Sequence, residues 1–416
     1  MSNTVSPQRV INILGIGIIL SDLGDNALYT VLPDPTIWSR VGLSLAWVGV
    51  LLGINRIVRL VFNVGAGVLY DRLPRRRLLI GSMMLAILSN VIYALAYGPA
   101  PFLVGRILWG AAWSGLWIGG NTVVLDVSTE ADRGRNSGRF QMLFFIGVAV
   151  GTLFGGISTD LLGFQGGLWL SAAMMVCGAI FWYFKLPETR PEEGERKVEV
   201  PGWREFPIRV SLPAAVPLMA VRFVFAGVMA STTILWLERY VGRELSLAWI
   251  VVPLATLTGA FSAVRVLTGI VGAPFAGRVS DRLGRRWPVM AIGLGIGSIG
   301  TWLMGGSIIW LSLLGALLAA VTSGSVSALA PAIIGDRVEE GRQSRALSVV
   351  FSLGDVASAL GPPLALGLLA VIGISGVYRM SAIVLGLAAL FALVQLSREP
   401  LRLSNQSTEL DSIEAN

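Results

Sequence analysis

Eight charged side chains lie inside long apolar runs of this chain: Asp22, Asp25, Arg56, Arg59, Arg106, Arg222, Arg265 and Asp355. A charge at mid-bilayer costs roughly 2.5–3.5 kcal/mol to insert, so eight left alone would cost roughly 20 kcal/mol or more. They are expected to pair with one another or to line a wet path. Two chemistries are open to them. Arginine stays charged, and its planar fork matches carboxylate and phosphate, so Arg56, Arg59, Arg222 and Arg265 are candidates for holding an anionic group. A buried carboxyl can exchange a proton near neutral pH when desolvation disfavours its charged form. Asp22 and Asp25, followed by Asp355, are therefore the candidates for carrying a proton. Five arginines against three aspartates leave a surplus of positive charge, which would suit an anionic substrate.

Spacing adds detail. Asp22 and Asp25 are three residues apart and share a helical face, as do Arg56 and Arg59. Trp109, Trp113 and Trp117 recur every four residues and form one stripe. That stripe is either an aromatic wall for an amphipathic substrate or a packing face for a neighbouring helix.

The elements carrying these residues are helices that cross a membrane. The chain has 416 residues, of which 54% are hydrophobic and 14% charged. A soluble chain is about one-quarter charged. Apolar runs are expected as spans at 10–32, 44–69, 78–97, 101–125, 139–160, 166–186, 213–236, 247–276, 288–306, 308–333, 345–371 and 376–397. Each is long enough to cross about 30 Å of hydrocarbon. They are continuous rather than alternating, which excludes a transmembrane β-barrel.

Charge reports orientation. With both termini cytoplasmic, 23 of the 32 Lys and Arg residues fall on the inner side, and only Arg40, Arg239, Arg243 and Arg379 on the outer side. That bias is the positive-inside rule, so the net charge of +7 does not point to a nucleic-acid partner. The first run lacks a small-residue cleavage site after it and is expected to be retained. The chain has one cysteine, Cys177, and no histidine, so an internal disulfide and histidine-based metal sites or proton relays are excluded. No metal site or cofactor is expected. Neither lysine, Lys185 or Lys197, lies in a phosphate-binding G-x-x-x-x-G-K-[ST] loop, so no ATP motor is expected. No nucleophile–base pair stands out, and an enzyme, with catalytic residues, is not expected.

Two stretches about 210 residues apart say nearly the same thing. One is Gly67-Val68-Leu69-Tyr70-Asp71-Arg72-Leu73-Pro74-Arg75-Arg76-Arg77, and the other is Gly277-Arg278-Val279-Ser280-Asp281-Arg282-Leu283-Gly284-Arg285-Arg286. Such a repeat suggests two similar bundles. The pattern resembles the loop motif of the major facilitator superfamily of secondary transporters, with Pro74 where the family usually has Gly. The resemblance covers essentially the whole chain. It implies an all-α integral membrane fold, with twelve transmembrane helices in two pseudo-symmetric six-helix bundles. The bundles are expected at 1–187 and 213–398, joined by a cytoplasmic linker at 188–212, with a disordered cytoplasmic tail at 399–416.

The resemblance also implies roles. Asp126 and Asp336 end the fourth and tenth spans, again 210 apart. Acids at these places form a charge cluster with the loop motif in the family. A conformational latch is thus expected from Gly67, Asp71, Arg75 and Asp126 in one half, and from Gly277, Asp281, Arg285 and Asp336 in the other. Arg106-Ile107-Leu108-Trp109-Gly110 resembles the R-x-x-x-G element assigned to proton coupling or gating, which adds Arg106 to the coupling candidates. Gly147 to Gly156 resembles the antiporter glycine motif, with Thr152 in place of Pro. Helices 2 and 11 are neighbours in the family, so Arg56 or Arg59 is expected to meet Asp355.

The expected function is secondary active transport of small organic molecules by alternating access, as proton-coupled efflux of drug-like or amphipathic compounds. The alternatives are transport of a small organic or phosphorylated anion by the buried arginines, and a non-transporting sensor or assembly factor on the same fold. The expected partners are a small-molecule substrate, protons and the lipid bilayer. The expected setting is a monomer in a bacterial inner membrane.

Overall fold

The computed structural model describes residues 6–129, 132–190, 208–247, 250–338 and 343–397. The expected tail, and the linker between 191 and 207, lie outside them. The described residues are almost entirely helical. In order they form α1 (Pro7–Ser21), α2 (Leu23–Val31), α3 (Pro35–Arg40), α4 (Leu45–Arg72), α5 (Arg75–Leu95), α6 (Pro99–Asp126) and α7 (Arg133–Lys185). Then come α8 (Ile208–Val221), a π-helical segment (Arg222–Met229), α9 (Ala230–Val241), and the strands β1 (Glu244–Leu247) and β2 (Ile250–Pro253). The chain continues through α10 (Leu254–Leu283), α11 (Trp287–Met304), α12 (Ile309–Arg337) and α13 (Gln343–Leu396).

Local chemistry sets the boundaries. Proline opens α1, α3 and α6, where a missing N–H costs nothing. Asp34 caps α3 by accepting from the Thr36 N–H at 2.8 Å. The two longest helices, α7 and α13, have 53 and 54 residues. At about 1.5 Å per residue each would be about 80 Å long, more than twice the hydrocarbon thickness. Each is broken once, at Gly163 (φ 74°) and Gly373 (φ 64°), a conformation only glycine adopts cheaply. Each therefore supplies two spans. Among the described residues nine helices are long and apolar enough to cross a membrane, α1–α2 and α8–α9 each counting as one; the breaks in α7 and α13 divide two of these, and α6, with 28 residues, has the length of a span as well.

The eighth span differs from its expected bounds of 247–276. Residues of β1 and β2 form an antiparallel hairpin, pairing Glu244 with Pro253 and Leu247 with Ile250. The helix starts only at Leu254, because Ile250–Pro253 are held extended in the pairing with Glu244–Leu247, and the residue before a proline itself favours extended geometry. The first and seventh spans are also interrupted, by the turn at Asp22 and by the π segment.

Large apolar side chains remain exposed along the helices, among them Val61, Leu161, Phe184, Trp310 and Val371. In water such a surface would be a liability; it suits a lipid solvent.

The chain forms two compact units. The first takes in the described parts of Met1–Gly202, Phe223–Leu267 and Asp355–Val377. Its core holds Ile11, Leu14, Tyr70, Tyr93, Phe102, Phe140 and Trp182, all fully buried. Trp182 lies on Gly17 and donates to the Ile13 carbonyl at 2.9 Å, tying the end of α7 to α1. The second takes in the described parts of Trp203–Arg222, Thr268–Gly354 and Tyr378–Asn416. In it α11 and α12 approach closely: a Cβ on Gly300 would sit 2.6 Å from the Gly315 carbonyl oxygen. Small residues at such crossings let dispersion forces hold helices where lipid removes the hydrophobic drive.

Candidate functional site

The first unit gathers most of the buried charges. α1 stops at Asp22, and the turn there leaves Asp22 and Asp25 at the start of α2. Arg106, 1% exposed, comes from the middle of α6 and pairs through Nη1 with Asp25 Oδ1. Its Nε donates to the Leu51 carbonyl of α4 at 2.7 Å. One guanidinium thus ties α2, α4 and α6 together. Asp22 is held differently: Asn26 Nδ2 donates to its Oδ2 at 2.6 Å and to its carbonyl at 2.9 Å. Asn26 had no distinguishing signal in the sequence.

About two turns along α4 from Leu51, Arg59 Nη2 pairs with Asp355 Oδ2 of α13 at 3.2 Å. Arg56 Nη1 donates to two backbone oxygens, of Ala226 in the π segment (2.9 Å) and of Ser358 in α13 (3.0 Å). The expected meeting of this arginine pair with Asp355 is realised by Arg59, while Arg56 meets carbonyls. The contact is possible because the backbones nearly touch. A Cβ on Gly53 would lie 2.2 Å from the Ala359 oxygen, and one on Gly227 2.7 Å from the Gly361 Cα.

At the Leu45 end of α4, Arg243 Nη1 donates to both oxygens of Asp34 at 2.8 and 2.7 Å, and its Nε lies 3.2 Å from Glu238. Its hydrogen bonds to Asp34 raise the guanidinium pKa above the ordinary arginine value, against a smaller opposing effect of burial. Nearby, Asp160 of α7 accepts from the N–H and hydroxyl of Thr256 in α10. Asp34, Asp160 and Arg243 line a cavity of about 650 Å³ with Arg40, Gln165 and Ala255. Sequence reading placed Arg40 and Arg243 on this side but did not find the partners.

At the Arg72 end, the loop motif is organised around Arg75 rather than Asp71. Arg75 Nε donates to Asp126 Oδ2 at 3.1 Å, and the N–H groups of Arg75 and Arg76 donate to the Glu188 carboxylate at 2.9 and 3.2 Å. A carboxylate at these first N–H groups caps α5. Asp71 is half-exposed beside it. In the second unit the equivalent arginine shifts by one position. Arg286, not Arg285, pairs with Asp281 and lies 3.2 Å from Asp336. The reason is local: Gly284 adopts φ 62° and lengthens the turn, so α11 starts at Trp287, two residues later relative to the motif than α5 does after Pro74. Gly67 and Gly277 have open space around their Cα atoms.

The tryptophan stripe packs inside the first unit. Trp109 and Trp113 are stacked 5.7 Å apart and both are buried, and Trp117 continues the ladder at 5.9 Å. Phe144 of α7 meets Trp113 and Trp117 at 5.6 and 5.0 Å. Of the two openings the sequence left for this stripe, the structure displays the packing face. The glycines of the antiporter-like stretch also serve packing, with Gly155 against Ala27 and Gly156 against Ala255. Arg222 opens the π segment and Arg265 lies within α10, each half-buried and each engaged by neighbours.

A helix-1 acid salted to a helix-4 arginine, a loop motif in each half, and helices long and apolar enough to cross a membrane can now be set against known proteins. The model of the Major Facilitator Superfamily matches residues 14–271 and 254–412. The chain belongs to that superfamily. Among curated relatives, the inner membrane transport protein YajR of Escherichia coli is 27% identical over 183 residues, 42% of this chain and 38% of that protein. Citrate exporter 1 of Aspergillus niger is 25% identical over 195 residues, 47% of this chain and 37% of its own length. The chain thus spans well under half the length of these two relatives. Among solved structures, a bacterial homologue of the human lysosomal transporter Spinster, inward-facing and occupied, superimposes with a TM-score of 0.74 at 17% identity. That superposition covers 96% of this chain and 98% of the other, and it carries the fold alone. All three are described as transport proteins rather than enzymes.

Proposed function

We propose that this member of the Major Facilitator Superfamily is a proton-coupled secondary transporter of small organic molecules, working by alternating access. The observation that carries the reading is the buried pair of Asp25 and Arg106, where a short break in the first span sets Asp25, with Asp22 next to it in the chain, against one permanently charged guanidinium. Protonating Asp25 leaves Arg106 without its counter-ion, so the charge of the site depends on proton binding. One charge moving through the membrane field supplies about 2.3 kcal/mol per 100 mV. That sustains roughly a fifty-fold gradient, at about 1.4 kcal/mol per tenfold.

The proposed direction is efflux, and the proposed substrates are amphipathic compounds. Arg56, Arg59 and Arg106 are already occupied by protein carbonyls and carboxylates, which weakens the case for a cavity built on free arginine. A second reading, export of an organic anion, draws on the likeness to the citrate exporter and on Arg222 and Arg265. Proton coupling through Asp22, Asp25 or Asp355, the latch at the loop motifs, two bundles at 1–187 and 213–398, and a monomer in a bacterial inner membrane with both termini inside complete the proposal.

The test is proton movement in proteoliposomes, with wild type and Asp25→Asn, against a panel of lipophilic cations and organic anions. Substrate-triggered proton flux that Asp25→Asn abolishes supports the reading, and the responding half of the panel assigns the substrate class. Flux that is unchanged in Asp25→Asn removes Asp25 from the mechanism.

A further inference from the structure

Tyr29, on α2 one turn beyond Asp25, touches both of the arginines that matter in the first unit. The Arg106 guanidinium carbon lies 5.4 Å from the centre of its ring, and that of Arg56 lies 5.2 Å from the same ring. Tyr29 is 8% exposed, and its hydroxyl donates to the Leu52 carbonyl of α4 and lies 3.4 Å from Asn55 Oδ1. The ring is therefore held in place from α4. Two guanidinium groups share one ring, and among the described residues Arg106 alone of the two has a carboxylate partner. Arg56 is balanced instead by the neutral carbonyls of Ala226 and Ser358.

We infer that Tyr29 is the positioning residue through which the charge on Asp25 acts on Arg56, and so on the contact of α4 with the π segment and α13. This rests on the coupling role proposed for Asp25. With Asp25 ionised, Arg106 is neutralised and the electron-rich ring face is available to Arg56. With Asp25 protonated, two unbalanced cations compete for one ring. The desolvated cation–π attraction then no longer offsets their repulsion. Arg56 is held only by carbonyl oxygens and is the one to move. The groups surrounding Asp25 are Asp22 on its own helix, Tyr93 from α5, and Arg106 from α6. Arg59 of α4 acts on Asp22. The face of α7 towards α2 presents Gly151 and Gly155.

The experiment is a pH titration of the distance between spin labels at Leu161 and Val371, both highly exposed and both in the first unit, in a Cys177→Ser background. The wild type is expected to show a longer distance at low pH. Tyr29→Phe keeps the ring and is expected to keep the wild-type midpoint. Tyr29→Leu removes the ring and is expected to lose the pH-dependent shift while the protein still elutes as a folded species. The inference alone is overturned if Tyr29→Leu retains the wild-type response, or if Tyr29→Phe loses it, since the second result would assign the effect to the hydroxyl. A response that survives Asp25→Asn overturns the coupling role of Asp25 and the inference with it, as does a wild type whose distance ignores pH. A Tyr29→Leu protein that fails to fold is replaced by Tyr29→Met, which keeps volume without a ring and is judged by the same outcomes.

Discussion

The carboxylate of Asp160 accepts both the backbone N–H and the hydroxyl of Thr256, each at 2.6 Å. Asp160 belongs to α7, and Thr256 is the third residue of α10. The residue before α10 is Pro253, whose side chain has no acceptor to cap the helix. The cap is thus supplied from another span, 96 residues away, and the helix end is satisfied only while the two spans are together. Removing an N-cap carboxylate costs about 0.5–2 kcal/mol.

Asp160→Ala should therefore lower the population of the joined state by roughly twofold to thirtyfold, at about 1.4 kcal/mol per tenfold. The measurement is the labelling rate of a cysteine placed at Ala255, which is buried in this state. Faster labelling is expected in the Asp160→Ala background, and an intermediate rate in Asp160→Asn, which keeps one acceptor oxygen. Equal rates in all three would remove the cap from the account.

The tie between Arg243 and Asp34 carries a pH prediction. Hydrogen bonding to Asp34 raises the Arg243 pKa above its unfolded value. A group shifted in that sense contributes stability that is complete below the unfolded pKa and is lost only as pH rises through the folded one. Both lie far above the physiological range, so alkaline titration up to about pH 10 should leave this tie intact. Arg243→Ala should cost no more than about 1 kcal/mol, since the arginine is 46% exposed. Thermal melts of wild type and Arg243→Ala should run parallel up to about pH 10; a gap that already closes below that pH would mean that the folded-state pKa of Arg243 is not raised.

The second loop motif separates two adjacent arginines. Arg286 engages Asp281, Asp336 and the Ser280 hydroxyl, the last at 2.7 Å. Arg286→Ala should slow transport and lower the melting temperature more than Arg285→Ala does. In the first motif Asp126→Asn should exceed Asp71→Asn, because Asp126 holds Arg75. The reverse order in either pair would mean that the latch works in a state with different partners.

Close backbone approach at Gly227 and Gly361 predicts a steric result. A Cβ on Gly361 would lie 2.5 Å from the Gly227 Cα, with backbone atoms on both sides. Gly361→Val should separate the π segment from α13 and take Arg56 off its carbonyls. The expected readout is loss of a disulfide engineered between the two helices nearby; efficient cross-linking in the variant would show that the helices accommodate the side chain.

Much of the architecture could be read from residue order. The helical spans and the paired loop motifs follow from run length and residue order, and the meeting of a helix-2 arginine with Asp355 follows from depth together with the helix neighbours that the family resemblance implies. These are local or one-dimensional quantities, because lipid tests each segment separately for length and charge. The hairpin at 244–253 escaped because its residues are as apolar as the helix that follows, and only Pro253 marks the boundary. The partners of Arg106, Arg243, Arg286 and Asp160 escaped for a different reason. Asp25 and Arg106 are 81 residues apart, and Asp34 and Arg243 are 209 apart. A charge in a membrane must find a partner, and the sequence determines that it will. Which partner it finds depends on how helices rotate and how closely glycines let them approach, and that was decided only by the packing of the whole chain.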